Sequence, residues 1–168
     1  MRIIFAAEAS SKANLQLRIA GPVLDPGSEA LLQRTIQSNV GAHVTFCSAH
    51  SRSELLNEYA KAHVLVLASR EETTPHVIAR AMACGLPTIS SAVGGEPHVV
   101  RDGRTALLFR CGDARVCADQ IKRLLDDGPL REAMTLRIRE EARQRIHPDS
   151  VADQAVPVYR EATARARG

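Results

Sequence analysis

The run Val64-Leu-Val-Leu-Ala68 constrains the fold more than any other part of this 168-residue chain. Five apolar residues in succession show no alternation, so both faces of the segment must be covered, which is the condition of a strand inside a parallel sheet. The segment after it keeps the same grammar. Ser69-Arg-Glu-Glu-Thr-Thr-Pro-His-Val turns into a helical stretch ending at Cys84-Gly85, and a second strand, Thr88 to Ser91, leads to the Gly94-Gly95 turn. Pro75 suits the first turn of that helix, where its missing N–H costs nothing, and Gly85 suits its end. Parallel α/β sheets place ligands outside the carboxyl ends of their strands, beside helix N-termini whose N–H groups attract phosphate. A functional site is therefore expected between Ser69 and Gly95.

The rest of the chain continues the alternation. Leu15 to Ala20 reads as a strand stopping at Gly21-Pro22, Ser28 to Ser38 as a helix with Leu31, Leu32, Thr35 and Ile36 on one stripe, and Val44 to Cys47 as a short buried strand. Ser51 or Ser53 starts a helix that turns Leu55, Leu56, Tyr59 and Ala60 inward and ends near Lys61. Asp102-Gly103 precedes a short edge strand, Ala106 to Phe109. Asp113 caps a helix through Val116, Ala118, Ile121, Leu124 and Leu125 that stops at Gly128-Pro129. Helices follow over Leu130 to Ile146 and after Asp149-Ser150, the last kinked or delayed by Pro157. Strands alternating with helices, without repeats or a linker, give an α/β fold: a Rossmann-like doubly wound parallel sheet in a single domain.

Aromatic residues make up 3% of the chain, so its core must be aliphatic. The net charge of +3 is only mildly basic. Acids and bases interleave at helical spacing in the last third, as at Arg131, Glu132, Arg137, Arg139, Glu140, Glu141 and Arg143, which is the pattern of a solvated helix face. With few aromatics for base stacking, no nucleic-acid partner is expected. Cys47, Cys84, Cys111 and Cys117 form no C-x-x-C pair and read as buried reduced thiols. No transmembrane segment or leader is read, and a cytoplasmic location is expected.

The order of motifs resembles the C-terminal, nucleotide-sugar-binding domain of the GT-B retaining glycosyltransferases of family four (glycosyl transferases group 1). It is carried by Val64 to Ser69, Glu72, Arg80-Ala-Met-Ala-Cys-Gly-Leu-Pro87, Gly94-Gly95, Asp102-Gly103 and Leu107-Leu-Phe109, with Ile19-Ala-Gly-Pro22 and Val44-Thr-Phe46 upstream. The resemblance implies one such domain over residues 1–168, with an atypical start over 1–14 and a C-terminal helix over 149–168. It implies a hexosyltransferase-type activity and a nucleoside-diphosphate sugar as substrate, with no cofactor and no metal. Glu72 corresponds to the acid that hydrogen-bonds the transferred sugar. Thr74, His76 and Val77 open the helix that meets the diphosphate, Gly94 and Gly95 let backbone approach the ligand, and His50 lies where the base is met. Two plainer readings stay open: Glu72 caps the helix, and the glycines only turn the chain.

The chain also departs from the family's pattern. Arg80 stands where the family has its ribose-binding second acid, and a guanidinium can only donate hydrogen bonds. It is free to pair with Glu71, Glu72 or a phosphate. His63 replaces an Asp, and His98 closes a turn that in the family ends in an acid. The opening Met1-Arg-Ile-Ile-Phe-Ala-Ala carries no Gly-containing strand and basic loop of the kind that neutralises the diphosphate, with Arg2 and Lys12 the nearby cations. Either Arg2 to Ala7 refills the central strand position or a partner chain covers it. The expected role is to bind the donor and transfer its sugar with retention when a separate acceptor-binding domain or self-association completes the cleft. The alternative is a degenerate, non-catalytic interaction module.

Overall fold

The computed structural model describes residues 3–8, 15–20, 29–30, 33–34, 37, 43–47, 51–73 and 76–165. In chain order its elements are β1 (Ile3–Glu8), β2 (Leu15–Ala20), β3 (Val44–Cys47), α1 (Arg52–Lys61), β4 (Val64–Leu67), α2 (His76–Cys84), β5 (Thr88–Ser91), α3 (Glu96–Val99), β6 (Ala106–Phe109), α4 (Ala114–Asp126), α5 (Gly128–Arg145) and α6 (Pro148–Arg165). Residues 29–30 and 33–34 are helical, within the helix expected over Ser28 to Ser38.

The six strands form one sheet in the order β3-β2-β1-β4-β5-β6. β2 and β3 run parallel, as do β4, β5 and β6. β1 occupies the central position, so the first residues do refill it, but they run against both neighbours, with Ile3 opposite Ala20 and Phe5 opposite Leu65. The reversal has a simple cause. Only residues 9–14 separate β1 from its neighbour β2, and a parallel crossover takes about a dozen residues or more, whereas an antiparallel return takes two. The expected parallel sheet thus holds for every strand except this one.

Both faces of β4 are covered, as its sequence requires. Val64 and Val66 pack with Ile78, Met82 and Ile89 against Leu124 of α4 and Met134 and Ile138 of α5. Leu65 packs on the other side with Tyr59, Val77, Ala81 and Leu86. Each fully buried Val, Leu, Ile or Met among them contributes about 1.5–3 kcal/mol. α2 feeds both clusters, which fixes its rotation about its own axis. Among the described residues, Tyr59 and Phe109 are the buried aromatic side chains of the core.

Several boundaries differ from the sequence reading. Ser51 caps α1 in a reciprocal box, its Oγ accepting the Glu54 N–H while the Glu54 carboxylate accepts the Ser51 N–H. Leu56 and Ala60 of that helix face solvent, and Glu58 turns inward instead because Arg18 on β2 meets its carboxylate with two donors. α4 ends at Asp126, before Gly128-Pro129 as expected, but that pair already opens α5, two residues earlier than the expected Leu130. Asp127 caps α5 by accepting the Leu130 N–H at 2.9 Å, and the proline sits in the first turn, where no N–H is needed. Pro157 lies inside α6, which starts undelayed at Pro148 and buries none of its residues. Val116 and Ala118 of α4 are exposed.

Candidate functional site

The carboxyl ends of β4 and β5 carry two loops that are bonded to each other. Ser91 Oγ donates to the Ser69 carbonyl at 2.6 Å, and Ser90 Oγ donates to the Leu67 carbonyl at 3.3 Å. Further out, the Gly95 N–H donates to the Glu72 carbonyl at 3.2 Å. Gly94 makes that approach possible. Its φ is +53°, and a Cβ placed there would lie 1.6 Å from the Glu72 oxygen, inside any permitted contact. The glycine pair therefore brings backbone against backbone, docking the turn on the Glu72 loop. Gly95 and Glu72 are half-buried, while Gly94 is exposed.

α2 begins beside this junction. His76 and Val77 are its first two residues, and no acidic residue lies in its first turn, so the positive end of the helix is not neutralised from within. His76 is exposed. The Val77 side chain is in the core, leaving its backbone as the group available to a ligand, and its carbonyl accepts the Tyr59 hydroxyl at 3.3 Å. Thr74 and Pro75 lie outside the described residues, as do His50 and the adjoining Ala49.

Arg80 is exposed on the same helix and is not ion-paired with Glu71 or Glu72. Its guanidinium instead lies beside the buried Tyr59 hydroxyl. Burial drives the phenol up, the nearby guanidinium draws it down, and burial prevails, leaving the group pushed up to about 12. Of the expected partners of Arg80, the two acids are thus unused in this structure.

The same strand ends border a cavity of about 290 Å³, lined by Ser69, Ser91, Phe109, Cys111, Cys117 and Ile121 among others. Glu72, His76, Arg80 and Gly94 do not line it. Cys111 is exposed, contrary to the expected burial, with its Sγ 3.7 Å from the Ser69 carbonyl. Cys47 is buried, and burial raises its thiol pKa although Arg18 approaches to 3.3 Å. Among the described residues no cluster of three His, Cys, Asp or Glu side chains could hold a metal ion, and no helix is long and apolar enough to cross a membrane.

Sequence reasoning missed a second group behind the turn. Glu141, expected on a solvated face, is 4% exposed and lies against Arg101, Arg104 and Arg145. Its helical spacing gave no signal of this, because its partners Arg101 and Arg104 come from a loop some forty positions upstream. Ser90 and Ser91 were legible in principle: hydroxyls in a strand between buried neighbours must find acceptors.

Known proteins share both the sequence pattern and the fold. The pattern of the glycosyl transferases group 1 family matches residues 2–144. A D-inositol 3-phosphate glycosyltransferase of Nocardioides sp. is 35% identical over 127 residues, 76% of this chain and 28% of that protein. The structure of sucrose-phosphate synthase from Thermosynechococcus elongatus superimposes with a TM-score of 0.77 at 30% identity, over 87% of this chain and 38% of that one. The fold is also that of Anabaena Alr3699/HepE in complex with UDP-glucose, with a TM-score of 0.71 and 20% identity over 79% of this chain and 36% of that one. The chain therefore spans about a quarter to two fifths of the length of these proteins.

Proposed function

This chain belongs to the glycosyl transferases group 1 family and has the GT-B type of fold, and we propose from that premise that it forms the donor half of a glycosyltransferase, holding a nucleoside-diphosphate sugar for transfer with retention. The observation that carries this reading is the junction of Glu72 with Gly94-Gly95 at the mouth of β4 and β5, beside the N-terminal end of α2, whose first turn holds no acid. In this reading the first N–H groups of α2, with Thr74 and His76, hold the diphosphate, and the helix dipole stabilises the charge that grows on it as it leaves. Glu72 accepts hydrogen bonds from the sugar hydroxyls and orients the anomeric carbon. The nucleotide base lies toward His50. A separate acceptor-binding domain, or a second copy, supplies the other wall of the cleft and excludes water.

A second reading, a non-catalytic interaction module descended from such a domain, is favoured by Arg80, whose guanidinium sits against Tyr59 and offers a ribose no acceptor. Titration calorimetry with UDP-glucose and a panel of other nucleotide sugars separates the two. The donor reading expects saturable binding of at least one of them. Absence of binding at millimolar ligand, with the fold intact by circular dichroism, supports the module.

A further inference from the structure

We propose that Arg145 and Glu141, at the far end of α5, are positioning residues for the sugar-facing loop. The inference rests on the donor reading for its functional half and on geometry alone for its structural half. A continuous line of hydrogen bonds runs from one to the other. The Glu72 carbonyl accepts the Gly95 N–H at 3.2 Å, and the Gly95 carbonyl accepts the His98 N–H at 3.1 Å. The guanidinium of Arg145 then takes both carbonyls at the end of α3, Nη2 to His98 at 2.9 Å and Nη1 to Val99 at 3.2 Å.

Glu141 holds that guanidinium in place. Its carboxylate accepts from Arg145 Nη1 at 3.3 Å and is faced by Arg104 Nε at 3.3 Å and Arg101 Nε at 3.5 Å. Arg101 and Arg104 belong to the strand-entry loop that follows α3. One buried carboxylate thus collects three guanidiniums, two from the segment that leaves the Gly94-Gly95 turn and one from the helix that braces it. A carboxylate so deeply buried is tolerated only when matched by charge, so the segment between Gly95 and Arg104 has little freedom to drift along α5. α3 is four residues long and cannot hold its own place by propensity. Arg145 supplies what it lacks, since carbonyls at a helix end take a basic side chain readily.

The consequence reaches the ligand through Glu72. Its backbone oxygen is fixed by Gly95, and Gly95 is fixed through His98 by Arg145. A side chain that meets the sugar but not the nucleotide should affect sugar recognition alone. Replacement of Arg145 is therefore expected to weaken UDP-glucose and spare UDP, whereas a general loss of stability would weaken both alike.

Three variants test this: Arg145→Ala, the milder Arg145→Lys, which keeps the charge but lacks the planar fork that places two nitrogens on two carbonyls, and Glu141→Gln. Hydrogen exchange on the free chain is expected to show the Gly95 and His98 amides losing at least tenfold in protection in Arg145→Ala, with β4 and β5 unchanged and Arg145→Lys between. Calorimetry is expected to show UDP-glucose binding weakened about tenfold with UDP within twofold. Unchanged protection at Gly95 and His98, or equal weakening of both ligands, overturns the proposal. Should Arg145→Ala fail to fold, the other two variants carry the same readouts. A wild-type chain that binds neither UDP nor UDP-glucose removes the donor reading, and with it the functional half. Exchange at Gly95 then decides the structural half by itself.

Discussion

The two sides of the sheet are buried to different degrees. Every residue of β4 and β5 is buried and so is all of β6 except Leu108, whereas in β2 and β3 only the terminal Ala20 and Cys47 reach that state. The junction of Glu72 and Gly95, proposed to face the sugar, stands on the first set of strands; His50, expected to face the base, follows the second in the chain. The first side is held by apolar contact on both faces. The second depends on polar contacts, with Arg18 on β2 reaching Glu58 on α1 at 2.8 Å and Cys47 on β3 at 3.3 Å. The junction of Glu72 with Gly95 thus rests on the more fully packed side of the sheet.

The difference can be broken most severely at Gly94. Alanine there places a Cβ inside the Glu72 oxygen and also strains a φ of +53°, so a cost of about 4 kcal/mol or more is expected from urea denaturation. Gly103 is the control: its φ is +70° but nothing lies within 4 Å, so alanine costs only the backbone strain, about 1–2 kcal/mol. Equal costs at the two glycines would show that conformation, and not the close approach to Glu72, matters at the turn.

Matched truncations sharpen the contrast between the strands. Ile89→Ala, at a fully buried position on β5, is expected to lower stability by about 3–4 kcal/mol, and Leu17→Ala on half-buried β2 by less than half of that. Similar losses would remove the distinction between the two sides.

Tyr59 ties the sides together through Val77, and pH reads its contribution. The phenol titrates near 10 unfolded and near 12 folded, so the unfolded chain gives up its proton first as pH rises. Stability is therefore full below pH 10 and falls by about 2–3 kcal/mol between pH 10 and 12. Tyr59→Phe should flatten that part of the stability profile measured by denaturant titration. The smallest effect is expected at the polar brace. Arg18 is about a third exposed, so solvent screens its pair with Glu58, and Arg18→Met should cost about 0.5–1 kcal/mol in the same assay.

Much of the fold was legible in the sequence because burial on two sides leaves a mark. The apolar run of β4, the strand at Thr88 to Ser91, the caps Ser51 and Asp113 and the glycine stop at Gly85 can all be read along the chain, each set by neighbours within a few residues. The misreadings share a cause. Leu56 faces water while Glu58 goes inward, and Glu141 is buried, because in each case an arginine distant in sequence supplies the matching charge. At the site, the identity of Glu72, Gly94 and Gly95 could be read, but not what the glycines approach. Arg80 could be recognised as a departure, yet its place beside the Tyr59 hydroxyl depends on how α1 packs on α2.

The sequence by itself determined the alternation of strand and helix, the aliphatic core and the family, since these follow from periodicity and motif order along the chain. Only the tertiary structure decided that β1 enters the sheet reversed, that Gly94 is required by the carbonyl of Glu72, and that Glu141 collects three arginines. Each of these is a contact between segments far apart in the chain, where distance and charge matching in space, and not local propensity, set the outcome.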